Sequence, residues 1–221
     1  MNLIIFDIDG TLVDSVKVDD QCFIRSFKDL HNIDLSRADW NNFEYVTDRG
    51  LTNEIFRTHF KRTPSEEEII ELKSYFYNLL EQRIDEIAEI SGATQILNNL
   101  IERSDYLIAF ATGGWRETAL LKLNSVGLAL GEATLISSND HFDRSEITKL
   151  AIQETLTKSG LIKFDTITYI GDGLWDFNSA LQLGINFIGI DSQRNNQLLN
   201  AGAVQVINNL EDLEQIIAWT K

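Results

Sequence analysis

The feature that most constrains this chain is a set of short apolar runs that do not alternate with polar residues. They lie at residues 3–6, 106–111, 134–136, 167–170, 187–190 and 204–207, are rich in β-branched and aromatic side chains, and stop at turn formers. A strand that is apolar almost throughout has both faces buried, as in a parallel sheet with helices on each side. The segments between the runs carry helical stripes. Ile96, Leu97, Leu100 and Ile101 form one, and Ala119, Leu120, Leu123 and Val126 another. Strand–helix alternation from about residue 105 onward therefore predicts right-handed crossovers and a doubly wound α/β sheet.

Residues 16–91 break that rhythm. They contain no convincing strand but several amphipathic patterns, among them residues 22–30 and 66–87. Ser65, followed by Glu66, Glu67 and Glu68, is a helix start: a capping hydroxyl with acids in the first turn. So long a stretch exceeds a single crossover. The expected organisation is a mainly parallel, Rossmann-like core of residues 1–15 and 91–221, with an all-helical cap, residues 16–90, inserted after the first strand.

The net charge of -15 argues against a nucleic-acid partner, and against docking on anionic membranes, because both recruit basic patches. One cysteine, Cys22, excludes an intrachain disulfide, and the short apolar start lacks the basic flank of a signal peptide. A cytoplasmic setting is expected. Nothing in the sequence distinguishes a monomer from a homodimer.

The chemistry concentrates where the apolar runs end. Phe6-Asp7-Ile8-Asp9-Gly10-Thr11-Leu12 follows the first run directly. It places two carboxylates where open α/β sheets hold their ligands, and like charges so close repel unless a cation or a shared proton relieves them. Phe110-Ala111-Thr112-Gly113-Gly114 ends the second run. Ile170-Gly171-Asp172-Gly173-Leu174-Trp175-Asp176 ends another, with Asp172 and Asp176 able to face one cavity or Asp176 to cap the following helix.

The stretch from Asp7 to Ser15 resembles the first motif of the haloacid dehalogenase-like hydrolases. The likeness is to the phosphatase branch with a helical cap, which includes phosphoglycolate phosphatases and beta-phosphoglucomutase-like enzymes. Thr112 and Asp172 stand where that family's second and fourth motifs fall, in the same order. The family's basic residue is less marked, because the Lys-Pro pair common there is missing. Arg144 is taken for it, with Lys149 as rival.

The resemblance implies two-step phosphoryl transfer. Asp7 would be the nucleophile and Asp9 the general acid, then base. Thr112 and Arg144 would hold the transferred group, with Gly10, Thr11 and Gly113 around it. Mg²⁺ would be held by Asp7, Asp172 and the Asp9 carbonyl, with Asp176 in support. The expected partner is a small phosphorylated substrate. Asp9, absent from the family's dehalogenases, favours phosphate esters over carbon–halogen bonds. A phosphomutase, or a phosphate-binding regulator with a decayed site, are the alternatives. In the cap, Asp48, Arg49, Gly50 and Thr52 read as a polar loop facing the substrate. Arg49 either contacts an anionic end of the substrate there or is a helix-surface charge.

Overall fold

Residues 2–6 form β1 (Asn2–Phe6), in which Leu3, Ile4, Ile5 and Phe6 are all completely buried. The computed structural model describes residues 1–220. Leu3 and Ile5 face one layer of helices, and Ile4 and Phe6 face the other. Each such side chain contributes about 1.5–3 kcal/mol of burial. The central place of β1 follows from that double burial.

The chain then makes β2 (Val13–Asp14) and enters three helices, α1 (Val16–His31), α2 (Asp48–Phe60) and α3 (Glu66–Glu81). It returns through β3 (Ala88–Glu89), which pairs antiparallel with β2. This two-residue strand falls in a region whose sequence predicts none. Both its residues are exposed, so it leaves no apolar signal. Helix α3 has the predicted Ser65 cap, with Ser65 Oγ accepting from Glu68 N at 3.2 Å and Glu68 Oε2 from Ser65 N at 2.7 Å. The helix ends at Glu81 rather than near residue 87, giving way to a 3₁₀ turn at Ile84–Glu86. Helix α1 starts six residues before the predicted stripe.

From there strands and helices alternate: α4 (Ala93–Ile101), β4 (Tyr106–Ala111), α5 (Arg116–Ser125), β5 (Thr134–Ile136), α6 (Arg144–Ser159), β6 (Ile167–Gly171), α7 (Leu174–Leu183), β7 (Asn186–Ile190), α8 (Gln197–Asn200), β8 (Val206–Ile207) and α9 (Leu213–Trp219). The six-stranded sheet has the order β5-β4-β1-β6-β7-β8, and every pairing is parallel. The last strand is shorter than its apolar run, because Val204 is turned out to solvent. The chain leaves β1 for β4 and β5, then crosses back to β6 on the other side of β1. That reversal opens a crevice at the carboxyl ends of β1, β4 and β6, the usual ligand position in such sheets. Among the described residues, no helix is long and apolar enough to cross a membrane.

Candidate active site

Four elements end at the crevice, each delivering a side chain. Asp7 follows β1 and is buried; its amide donates to the Ile170 carbonyl at 2.9 Å, keeping the ends of β1 and β6 side by side. The chain then reverses in a tight turn in which Leu12 N and Val13 N both donate to Ile8 O, at 2.9 and 3.1 Å. Gly10 has φ +77° there, and any Cβ on it would overlap the Asp172 carboxylate, so conformation and space both demand glycine. Thr112 follows β4, with its amide on Ile136 O at 3.0 Å and its hydroxyl accepting from Gly114 N at 3.1 Å. Asp172 follows β6.

Helix α6 begins with Asp143 as its cap, whose carboxylate accepts from Ser145 N at 2.7 Å. That start aims Arg144, the first helical residue, inward, where it is 6% exposed. Its Nη2 donates to Asp7 Oδ1, and its Nε donates to Asp176 Oδ1 at 2.7 Å. Tyr169 OH donates to the same Asp176 oxygen at 2.9 Å. The other oxygen of Asp176 accepts from Gly173 N at 3.1 Å, which closes the first turn of α7. Gly173, not Asp176, occupies the cap position.

Asp7, Asp172 and Asp176 each bring one oxygen to within 4.8 Å of the others. Burial pushes the Asp7 carboxyl up to about 8; Arg144 opposes the shift, and the charges of Asp176 and Asp9 add to it. Asp172 is driven well above the carboxylate range by burial and by Asp7 and Asp176. Burial works against a charge on Arg144, but Asp176, Tyr169 and Asp7 more than offset it and keep the guanidinium protonated. One guanidinium is thus too little positive charge for three carboxylates. Convergent carboxylate oxygens short of a counter-charge suit a hard divalent cation such as Mg²⁺.

The opposite wall of the same cavity comes from the inserted helices. Asp9 accepts from Ser15 Oγ and pairs with Lys122 Nζ at 2.5 Å; Lys122 also pairs with Asp19, on α1, at 2.5 Å. The start of α2 docks on the sheet's edge through Asp48 N to Gly113 O at 2.8 Å, Thr47 Oγ1 to Phe142 O at 2.6 Å and Arg49 N to Ser138 Oγ at 2.7 Å. A Cβ on Gly113 would stand 2.6 Å from Arg144 Nη1 and 3.0 Å from Val46 O, so glycine permits this closure. What is left between the walls is a cavity of about 110 Å³, lined among others by Asp7, Asp9, Thr112 and Arg144.

The sequence matches the haloacid dehalogenase-like hydrolase family over residues 4–190. The chain belongs to that family. Among curated proteins, none matches it in sequence. Among solved structures it is similar to a hydrolase from Pseudomonas syringae, with 23% identity, 99% of this chain and 98% of that one covered, and a TM-score of 0.77. It is also similar to a predicted phosphoglycolate phosphatase from Haemophilus somnus (17% identity, 97% of each chain, TM-score 0.69). CbbY from Rhodobacter sphaeroides, in complex with phosphate, is a third (18% identity, 96% and 95% covered, TM-score 0.65).

Most of the hydrolase's expected site residues meet at this crevice. Asp7, Asp9, Thr112, Gly113 and Arg144 line one cavity; Asp172 and Asp176 stand beside Asp7; and Thr11 Oγ1 donates to Asp7 Oδ2 at 3.4 Å. Lys149 lies on the surface, where it pairs with Glu146 at 3.0 Å. The expected loop at residues 48–52 is corrected: these residues open α2, with Thr47 Oγ1 accepting from Gly50 N at 3.0 Å as its cap. Arg49 turns away from the cavity to Glu66, at 2.8 Å. Trp115 is buried, its amide donating to Asp48 Oδ2 at 2.7 Å. Lys122, Asp19 and Asp20 escape the sequence reading altogether, and Ser15 enters it only as the last residue of the first motif. The signal for Lys122 was there: it shares a stripe with Thr118, Ala119 and Leu123, all buried, and a lysine on a buried stripe needs anionic partners.

Proposed function

We propose that this hydrolase is a Mg²⁺-dependent phosphomonoesterase working through an aspartyl-phosphate, on a small phosphorylated metabolite in the cytoplasm. The observation that carries the reading is the shared cavity of Asp7 and Asp9, two carboxylates with different partners. Asp7 is held by Arg144 at the floor, and Asp9 by Lys122 and Ser15 on the side facing the helices. A nucleophile and a proton donor need that separation of duties.

Asp7, Asp172 and Asp176 would hold the cation, with the Asp9 carbonyl beside them. When bound, it offsets repulsion between these carboxylates and an anionic ester. An Asp7 oxygen attacks phosphorus, the bond from phosphorus to the ester oxygen breaks, and Asp9 donates its proton to the departing oxygen. Asp9, now a carboxylate, takes a proton from water. The resulting hydroxide attacks the aspartyl-phosphate, and phosphate leaves with Asp7 restored. Thr112 and Arg144 hold equatorial oxygens, where transition-state charge gathers. Residues 16–90 serve as the cap that excludes water during both steps.

The test is release of inorganic phosphate from p-nitrophenyl phosphate or acetyl phosphate with Mg²⁺, its loss in EDTA, and its loss in Asp7→Asn. That variant should turn over about 10⁴-fold more slowly or less while keeping the wild-type circular dichroism spectrum. Wild-type turnover in Asp7→Asn would remove the nucleophile from the scheme.

A further inference from the structure

We propose that the leaving group carries a positive charge, so that the substrate is the phosphate ester of a small amino alcohol. The inference rests on the phosphomonoesterase reading and names the class of its substrate.

The wall facing Asp7 is acidic and, among the described residues, lacks a free cation. Asp20 and Asp48 both line the cavity. Asp48 is 8% exposed; its Oδ2 accepts from Trp115 N, and among the described residues no hydrogen-bond donor reaches its Oδ1. Asp20 likewise accepts through one oxygen only, Oδ1 from Trp40 Nε1 at 3.0 Å. Lys122 is already committed to Asp9 and Asp19. Arg144, the one basic side chain among the described residues lining the cavity, is committed to Asp7 and Asp176.

A leaving group with a second phosphate or a carboxylate would meet Asp20 and Asp48 with no counter-charge, a buried like-charge contact that is strongly unfavourable. An ammonium would find two open carboxylate oxygens instead. It would also find an aromatic wall, since Phe23 and Trp40 both line the cavity and pack edge to face at 5.9 Å; such rings favour cations. Burial pushes Asp20 up to about 6, with the Trp40 hydrogen bond opposing, and pushes Asp48 well above its ordinary value, with the Asp19 charge adding to it. This wall is short of positive charge, and a cationic ligand supplies it. The modest size of the cavity, about 110 Å³, suits a small ester.

The experiment compares kcat/KM, with Mg²⁺, for 2-aminoethyl phosphate, propyl phosphate and phosphoglycolate. These present an ammonium, a methyl and a carboxylate at the far end of chains of similar length. The ammonium ester should exceed its neutral isostere by about tenfold or more, with the carboxylate ester slowest. Asp20→Asn and Asp48→Asn should each shrink the first ratio towards one. A ratio taken within one preparation is unaffected by partial loss of folded protein. Equal or better turnover of propyl phosphate or phosphoglycolate, or a ratio that neither variant moves, overturns the inference. If p-nitrophenyl phosphate is hydrolysed and the ammonium ester has no advantage, the inference alone falls. If no ester is hydrolysed, the phosphomonoesterase reading falls and takes the inference with it.

Discussion

Arg144 and Lys122 are both buried cations that bridge two aspartates, yet one joins two residues of the sheet's edge and the other joins that edge to the inserted helices. Arg144 reaches Asp7 and Asp176, both fixed by strand or helix ends, and its planar fork meets each through a different nitrogen. Lys122 extends from α5 to Asp9 on the turn after β1 and to Asp19 on α1. Burial opposes a charge on Lys122, but Asp19 and Asp9 more than offset it and hold the ammonium protonated. Swinging the inserted helices away would part Lys122 from Asp19 and leave Arg144's contacts unaltered. One cation therefore belongs to the sheet's edge alone, and the other to its contact with the inserted helices.

The hardest way to break this contrast is to remove the fixed cation. Arg144→Ala leaves Asp7 and Asp176 buried without their partner. It should lower kcat/KM by about 10³-fold and cost about 3–5 kcal/mol of stability, read from steady-state rates and denaturant midpoints. Lys149→Ala, which removes an exposed pair with Glu146, should stay within about threefold of wild type. If the two variants exchange these effects, Lys149 takes over the role given to Arg144.

Removing the second cation should cost less and show a different signature. Lys122→Met keeps most of the volume and deprives Asp9 of its partner. Turnover of an alkyl phosphate, whose leaving oxygen needs a proton, should fall by about 10–100-fold. Turnover of p-nitrophenyl phosphate, whose leaving group departs unprotonated, should fall by only about threefold. Equal losses on the two substrates would mean that Lys122 merely supports packing and does not position Asp9.

The same contrast marks what could be read from the sequence. Asp7, Thr112 and Asp172 follow continuous apolar runs, and a buried parallel strand announces its own end, so the fixed half of the site was legible. The closing half is assembled by tertiary contact. Ser15 stands at the N-cap position of α1, but its hydroxyl turns to Asp9, so its cap-like placement hides its partner. Gly50 suggests a loop, yet it sits in the first turn of α2, where a Cβ would crowd Tyr45. Asp20 looks like an ordinary helix-surface acid in sequence, and Asp48 reads as part of a polar loop. They acquire a role only when α1 and α2 are laid over the sheet's edge.

Protons and the divalent cation sharpen the comparison with the smallest expected effect. Without metal, burial holds Asp7 up to about 8, Asp19 up to about 7 and Asp20 up to about 6, against about 3.9 in an unfolded chain. Above pH 4 the folded protein therefore keeps protons that the unfolded chain releases. The stability these groups contribute is complete below that pH and is lost as pH rises through their folded values, up to about 8. In EDTA, the melting temperature should fall between pH 5.5 and 8. Mg²⁺ binds the ionised form of the fixed cluster, so it should restore about 5 °C or more at pH 8 and much less at pH 5.5. Lys122→Met should leave this magnesium increment near its wild-type size, because neither carboxylate it holds, that of Asp9 or that of Asp19, belongs to the cluster of Asp7, Asp172 and Asp176, whereas Arg144→Ala should change it. A melting temperature that ignores pH in EDTA, or an equal increment at both pH values, would show that the cluster of Asp7, Asp172 and Asp176 is not where the cation acts.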